Sequence, residues 1–248
     1  MSTSIDLNCD MGEGCLTDEQ IMPFISSANI ACGAHAGDRS TINRTIELAK
    51  RNGVAIGAHP SYPDRDGFGR TDMEINTIEL QNILIEQIEL VKSIAASAGV
   101  RMAHVKPHGA LYNKASDDYS TALTIAKAVK MIDPSLQLFG MGNSELERAA
   151  KNEGIRFCKE IFCDRTYTDE GRLSPRTLKN ALINSAEQAV LQTLQAIKEK
   201  TITSASGKLI NLEADTICIH GDGPHAVEFA QIINEMLKKE HIIIGSCK

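Results

Sequence analysis

The chain has 248 residues, 42% hydrophobic and 23% charged, the balance of an ordinary globular protein, which excludes fibrous, disordered and low-complexity readings. Twenty-six Lys and Arg against 32 Asp and Glu give a net charge of −6, so a polyanion finds no electrostatic footprint and nucleic acid is not expected as a partner. The opening MSTSIDLNCD has neither the basic nor the apolar region of a leader, and no apolar run approaches the roughly 18 residues of a membrane span, so a cytoplasmic protein without membrane contact is expected.

Along the chain, short apolar segments alternate with segments of helical period, the pattern of repeated βα units around a mainly parallel sheet. Strands are expected at 5–9, 28–31, 54–58, 101–106, 136–140, 157–162 and 216–220. Ile42, Ile46 and Ala49 before Gly53 mark one helix. The clearest spans 77–98, with Leu80, Leu84, Ile88, Val91 and Ala95 on one face, Asn76 and Glu79 as a capping box and Gly99 as its stop. Others run from Asn143 to Gly154, from Ser185 through Ala189, Leu194 and Ile197, and onward from Pro224. Between the last two, Thr201 to Thr203 and Leu209 to Ile210 read as a small β-hairpin. No Pro-rich or Gly/Ser-rich linker divides the chain, so one domain over residues 1–248 is expected.

Polar residues gather where predicted strands run out into loops, the edge on which α/β sheets and barrels build their sites. Asp6, Asn8, Asp10 and Glu13 follow the first strand, and Asn29, Cys32, His35 and Asp38 the second. His59, Ser61, Asp64 and Arg65 follow the third, and His104, Lys106 and His108 the fourth. Glu160, Asp164 and Arg165 end the sixth, and His220, Asp222 and His225 the seventh. Alternate strand residues share a face, so Asp6, Asn8 and Asp10 point one way, toward the mouth, and Ile5, Leu7 and Cys9 the other. A lone Asp10, Asp38 or Asp222 is explained by helix capping, but the whole set exceeds what capping requires.

Seven scattered cysteines with no CxxC pair suit reduced thiols rather than a disulfide framework or a cysteine zinc site. Cys32 is the best thiol candidate, while Cys158, Cys163 and Cys218 read as inert. A water nucleophile activated by a carboxylate or imidazole is simpler than covalent catalysis. There is no phosphate loop, and Gly12-Glu13-Gly14 lacks the third glycine of a dinucleotide fingerprint.

The blocks IDLNCDMGEG at 5–14, SANIACGAHAGD at 27–38, NGVAIGAHPSYPDRDGFGR at 52–70, HVKPHGALYN at 104–113, FCDRTY at 162–167 with GRLSPR at 171–176, and HGDGPHAV at 220–227 together resemble the LamB/YcsF family over nearly the whole chain. Ala34 stands where that family more often has Phe, which alters pocket shape without removing a polar group. The resemblance implies an irregular seven-stranded (β/α) barrel of the glycoside hydrolase and deacetylase kind. It also implies the role of the first of three 5-oxoprolinase components, one that, with subunits B and C, opens 5-oxo-L-proline to L-glutamate coupled to ATP hydrolysis, with Mg2+ accompanying ATP and no tightly bound protein metal.

For that chemistry Asp10, His59 and Lys106 are the expected catalytic residues, a carboxylate or imidazole positioning water and the Lys steadying charge on the lactam oxygen. Asn8, Asn29, His35, Arg65, His108, Arg165, His220 and Asp222 are expected to hold substrate, with Arg65 favoured to clamp its carboxylate. Two alternatives stay open: a metal-dependent deacetylase using Asp10, His35 and His59, and a carboxylate-binding regulatory subunit without turnover.

Overall fold

The computed structural model describes residues 3–221, 223 and 225–247. Parallel strands β1 (Ser4–Met11), β2 (Ser27–Ala31), β3 (Ala55–His59), β4 (Met102–Val105), β5 (Gln137–Met141), β6 (Arg156–Phe162) and β9 (Thr216–Ile219) stand side by side, and β9 pairs back onto β1 to close a seven-stranded barrel. Between β6 and β9 a two-stranded antiparallel hairpin of β7 (Thr201–Thr203) and β8 (Leu209–Asn211) stands apart from the barrel sheet, as its turn residues predict. A short β10 (Ile243–Ile244) pairs with Ser4 and Ile5 at the start of β1, a strand that the sequence pattern does not announce because only two residues form it.

Crossover helices cover the outside: α2 (Arg39–Asn52), α3 (Thr77–Ser97), α4 (Gly109–Asp117), α5 (Tyr119–Ile132), α6 (Glu145–Glu153), α7 (Ala186–Glu199) and α8 (Ala226–Lys239), with a single-turn α1 (Asp18–Ile21) after β1. Capping chemistry sets several starts. Asn76 accepts a bond from the Glu79 amide at 3.0 Å, and Ser185 from the Gln188 amide at 3.4 Å. The sequence reading leaves α4 and α5 unassigned, although Ala122, Ile125, Ala126 and Val129 of α5 are buried at helical spacing and Asp118 caps it through the Thr121 amide. The expected start of the last helix at Pro224 lies outside the described residues.

Strand alternation separates two environments. Leu7, Ile30, Ile56, Val105, Leu138, Ile161 and Ile217 face out and pack with helix residues such as Ile46, Leu84, Ile88, Ile125 and Ile233 in one apolar shell. Barrel lumens are ordinarily filled by branched apolar side chains, but this one carries Asp6, Asn8, Asn29, His104, Lys106 and Glu160, all buried. One expectation fails: Cys158 of β6 and Cys247 beyond β10 are joined as a disulfide across 89 residues. Cys9, Cys32, Cys163 and Cys218 are buried and outside any disulfide. A pairing that depends on the tail returning beside β6 leaves no spacing signature in the sequence. Among the described residues, no helix is long and apolar enough to cross a membrane.

Candidate functional site

Polar groups fill the lumen in tiers. At the base, Asp6 accepts bonds from the hydroxyls of Ser26, Ser27 and Thr216 at 2.6–2.7 Å. Above it Asn8 donates to Glu160 Oε1 at 3.0 Å and to Thr216 Oγ1 at 2.7 Å. Asn29 then donates to both Asn8 Oδ1 and Asp10 Oδ1, while His104 reaches Asn29 Oδ1 at 2.7 Å and stacks on Phe139 at 4.1 Å. Each tier satisfies the one beneath it, which is what keeps buried polar groups from destabilising a core.

At the top, Lys106 Nζ lies 2.9 Å from both Asp10 Oδ1 and Glu160 Oε1 and 3.1 Å from Cys218 Sγ. Burial alone would raise the pKa of Asp10, but His59 and Lys106 outweigh it and hold the carboxyl well below its ordinary range. Burial likewise opposes charge on Lys106, but Asp10, Cys218 and Glu160 keep the ammonium well above its usual value. The pair is therefore ionised. Beside it, Glu160 Oε2 and the Tyr112 hydroxyl are buried without a hydrogen-bond partner. Of the two residues, Tyr112 lines the cavity described below.

Three histidines form the adjoining wall. His35 and His108 stack at 3.9 Å, and His59 stands edge-on to both. The outer nitrogens of His35, His108 and His59 are held by Ser61 Oγ, the Phe68 carbonyl and the Lys106 carbonyl respectively, at 2.7–2.9 Å. The loop after β3 supplies two of these anchors. Its Phe68 adopts φ +56°, and Gly69 follows at φ +66°, where an added Cβ would stand 2.8 Å from His108 Cδ2. Only glycine fits there, because the chain must pass in a left-handed conformation directly over the imidazoles.

Burial lowers the pKa of His35 against its bond to Glu13, and lowers that of His108 further with help from His59 and His35. For His59, burial is overcome by Asp10, which raises the value. Burial also pushes the thiols of Cys9, Cys32, Cys163 and Cys218 upward, so none is available as a thiolate, Cys32 included.

A cavity of about 460 Å³ opens above these groups, within the size range of small-molecule sites. Asp10, Glu13, His59, Lys106 and His108 line its inner end, and Arg70, Arg165, Arg172 and Arg176 its outer walls, with Tyr112, Phe162 and His220 between. Five expected residues thus share the inner end or middle: Asp10, His59, Lys106, His108 and His220. Asn8 and Asn29 support it from below and His35 from behind. Arg165 is buried in the wall, donating to the carbonyls of Ser174 and Ala181; burial and the nearby charge of Arg176 depress its pKa to about 10. His220 is fixed by both oxygens of Asp164 at 2.9 Å.

Arg65 is not brought to the cavity. Its guanidinium binds the carbonyls of Gly33 and Gly37 and so ties two rim loops together. Asp222 lies outside the described residues. Sequence reasoning places Glu13 and Glu160 at strand ends without assigning them a role, and it misses Tyr112, Arg70, Arg172 and Arg176. Arg172 and Arg176 sit in the GRLSPR block, whose basic character is the available signal.

Comparison with known proteins gives this geometry a lineage. A protein of Tolumonas auensis, named as the A subunit of 5-oxoprolinase, is 49% identical over 238 residues, covering 94% of this chain and 95% of its own. A crystal structure of a lactam utilization protein from Thermus thermophilus superposes with a TM-score of 0.92 at 38% identity, covering 98% of this chain and 99% of its own. A family 4 carbohydrate esterase from Streptomyces lividans, at 11% identity and TM-score 0.52 over 99% of this chain and 93% of its own, shares the fold alone. The LamB/YcsF family model matches residues 5–248, and the chain belongs to that family.

Proposed function

We propose that this chain is the A subunit of an ATP-dependent 5-oxoprolinase, acting with subunits B and C to open 5-oxo-L-proline to L-glutamate. The name carried by relatives at 45–49% identity over nearly their full length supports the reading. The observation that carries it is the ionised Asp10–Lys106 pair at the inner end of a cavity whose outer walls are rich in arginine. A small lactam bearing one carboxylate matches that polarity, with the carboxylate toward the guanidinium groups and the ring carbonyl toward Lys106.

In this reading, Asp10 and His59 position a water molecule. Its oxygen bonds to the ring carbonyl carbon, the C–N bond breaks, and the ring nitrogen takes up the proton as the amine of glutamate. Lys106 steadies the charge that develops on the oxygen. ATP enters as co-substrate with its Mg2+, and with no phosphate loop in this sequence its handling is assigned to the assembled complex.

The test is reconstitution. Glutamate and phosphate release are measured for this chain alone and with B and C, using 5-oxoproline and MgATP. Activity only in the mixture is expected. Robust glutamate formation by the isolated chain would overturn the dependence on partners. No glutamate from the full mixture, with acetate released from acetylated sugars, would replace the reading by the deacetylase alternative.

A further inference from the structure

The three histidines and Glu13 are arranged in a way that lactam hydrolysis alone does not explain. The Lys106 and Phe68 carbonyls can only accept, so His59 donates from Nδ1 and His108 from Nε2. Ser61 gives its own proton to the Tyr62 carbonyl at 2.8 Å, so it accepts from His35 Nδ1. Each ring, when neutral, is thereby held in the tautomer whose inner nitrogen carries no proton, and the three inner nitrogens converge on the Glu13 carboxylate, with Asp10 Oδ2 a further 3.3 Å from His59 Nε2. His35 Nε2, His108 Nδ1 and His59 Nε2 lie 2.9, 3.4 and 3.7 Å from Glu13 Oε1, and His59 Nε2 is 3.0 Å from His108 Nδ1. All four donor atoms fall within 4.8 Å of one another.

Lone pairs facing each other at such distances repel unless a proton or a metal cation lies among them, and a single ion bound by all four atoms would satisfy them together. A tetrahedral ion with bonds of about 2.0–2.1 Å holds its ligand atoms about 3.3 Å apart, within the 2.9–3.7 Å of these four contacts. Histidines whose far nitrogens donate to fixed protein acceptors are the usual outer support of such ions. We propose that Glu13, His35, His59 and His108 form a binding site for a divalent transition-metal ion of the zinc class, set in the wall of the cavity. Three imidazoles and a carboxylate are the donors such ions select.

The second convergent group, Asp10, Cys218 and His220, is a poorer cage, because the Lys106 ammonium already stands 2.9 Å from Asp10 and 3.1 Å from Cys218. The same contact disfavours the trio of Asp10, His35 and His59 considered from sequence. An ion at the Glu13 site would add a Lewis acid to the cavity. The site itself rests on ligand geometry and not on the reaction proposed above.

The experiment uses untagged full-length protein. Metal content is measured after purification without chelator, and chelator-treated protein is titrated with Co2+ while visible absorption is followed. One equivalent of bound ion, a tetrahedral cobalt spectrum and a melting temperature raised by Zn2+ are expected. His35→Ala and His108→Gln should weaken Co2+ binding at least about a hundredfold, and Ser61→Ala, which only frees the His35 ring, about tenfold. No cobalt spectrum and no zinc-dependent stabilisation of the wild-type protein would overturn the proposal, as would binding that survives His35→Ala or is lost only on His220→Ala. Should the histidine variants fail to fold, the wild-type zinc response and Ser61→Ala still decide it. None of these readouts uses glutamate formation, so failure of the metal site and failure of the proposed reaction are separately visible.

Discussion

Lys106 Nζ sits 2.9 Å from Asp10 Oδ1, with the two side chains only 2% and 7% exposed. Removing one member of a buried pair leaves the other charged and unpaired, at a cost of about 3–5 kcal/mol. Here Lys106 also neutralises Glu160. Lys106→Met should therefore lower unfolding free energy by about that amount in chemical denaturation. Asp10→Asn keeps the shape and should leave a folded protein whose turnover in the reconstituted complex falls at least about a hundredfold. Near-normal turnover would remove Asp10 from the machinery.

His104 gives the fold an acid-sensitive arm. Its burial, with the charges of Lys106 and His59 nearby, depresses its pKa to about 3, against about 6.5 in an unfolded chain. Between those values the unfolded state holds the extra proton, so stability is fully present above about pH 6.5 and falls as the pH drops, by up to about 1.4 kcal/mol per unit. His104→Gln should flatten this arm in denaturation curves taken from about pH 4 to pH 7. An unchanged slope would show that His104 does not carry it.

The arginines separate binding from architecture. Arg176 is exposed at the cavity wall, so Arg176→Ala should raise KM for 5-oxoproline about tenfold, the loss of one charge-assisted contact, with little change in melting temperature. Arg65→Lys should do the reverse. It breaks the tie to the Gly33 and Gly37 carbonyls, lowering stability by about 1 kcal/mol while KM stays put. Steady-state kinetics and thermal denaturation of both variants decide the assignment.

Tyr112 carries a buried hydroxyl without a partner, and such a group costs stability. Tyr112→Phe should leave the unliganded protein as stable as before or slightly more so, and raise KM in the reconstituted enzyme. A clear loss of stability would mean that the hydroxyl is satisfied within the fold.

The order of strands, the hairpin and the polar rim are legible in the chain itself, because strand alternation is local: a residue two positions along lies on the same face whatever the rest of the molecule does. That is why Asp6, Asn8 and Asp10 can be assigned to one side of β1 from sequence, and Leu7 and Cys9 to the other. Position at a strand end does not say how far a side chain reaches or what it meets. Arg65 and Arg176 are both loop arginines, yet one ties loops together and the other lines the cavity, a difference set by which carbonyls the folded loops present. The Glu13–His35–His59–His108 cluster, the Asp10–Lys106–Glu160 contact and the Cys158–Cys247 bond each join segments from different parts of the chain. Closing β9 onto β1 fixes the register that brings β1, β4 and β6 to one lumen, and charges meet there because of barrel closure, which no local spacing encodes.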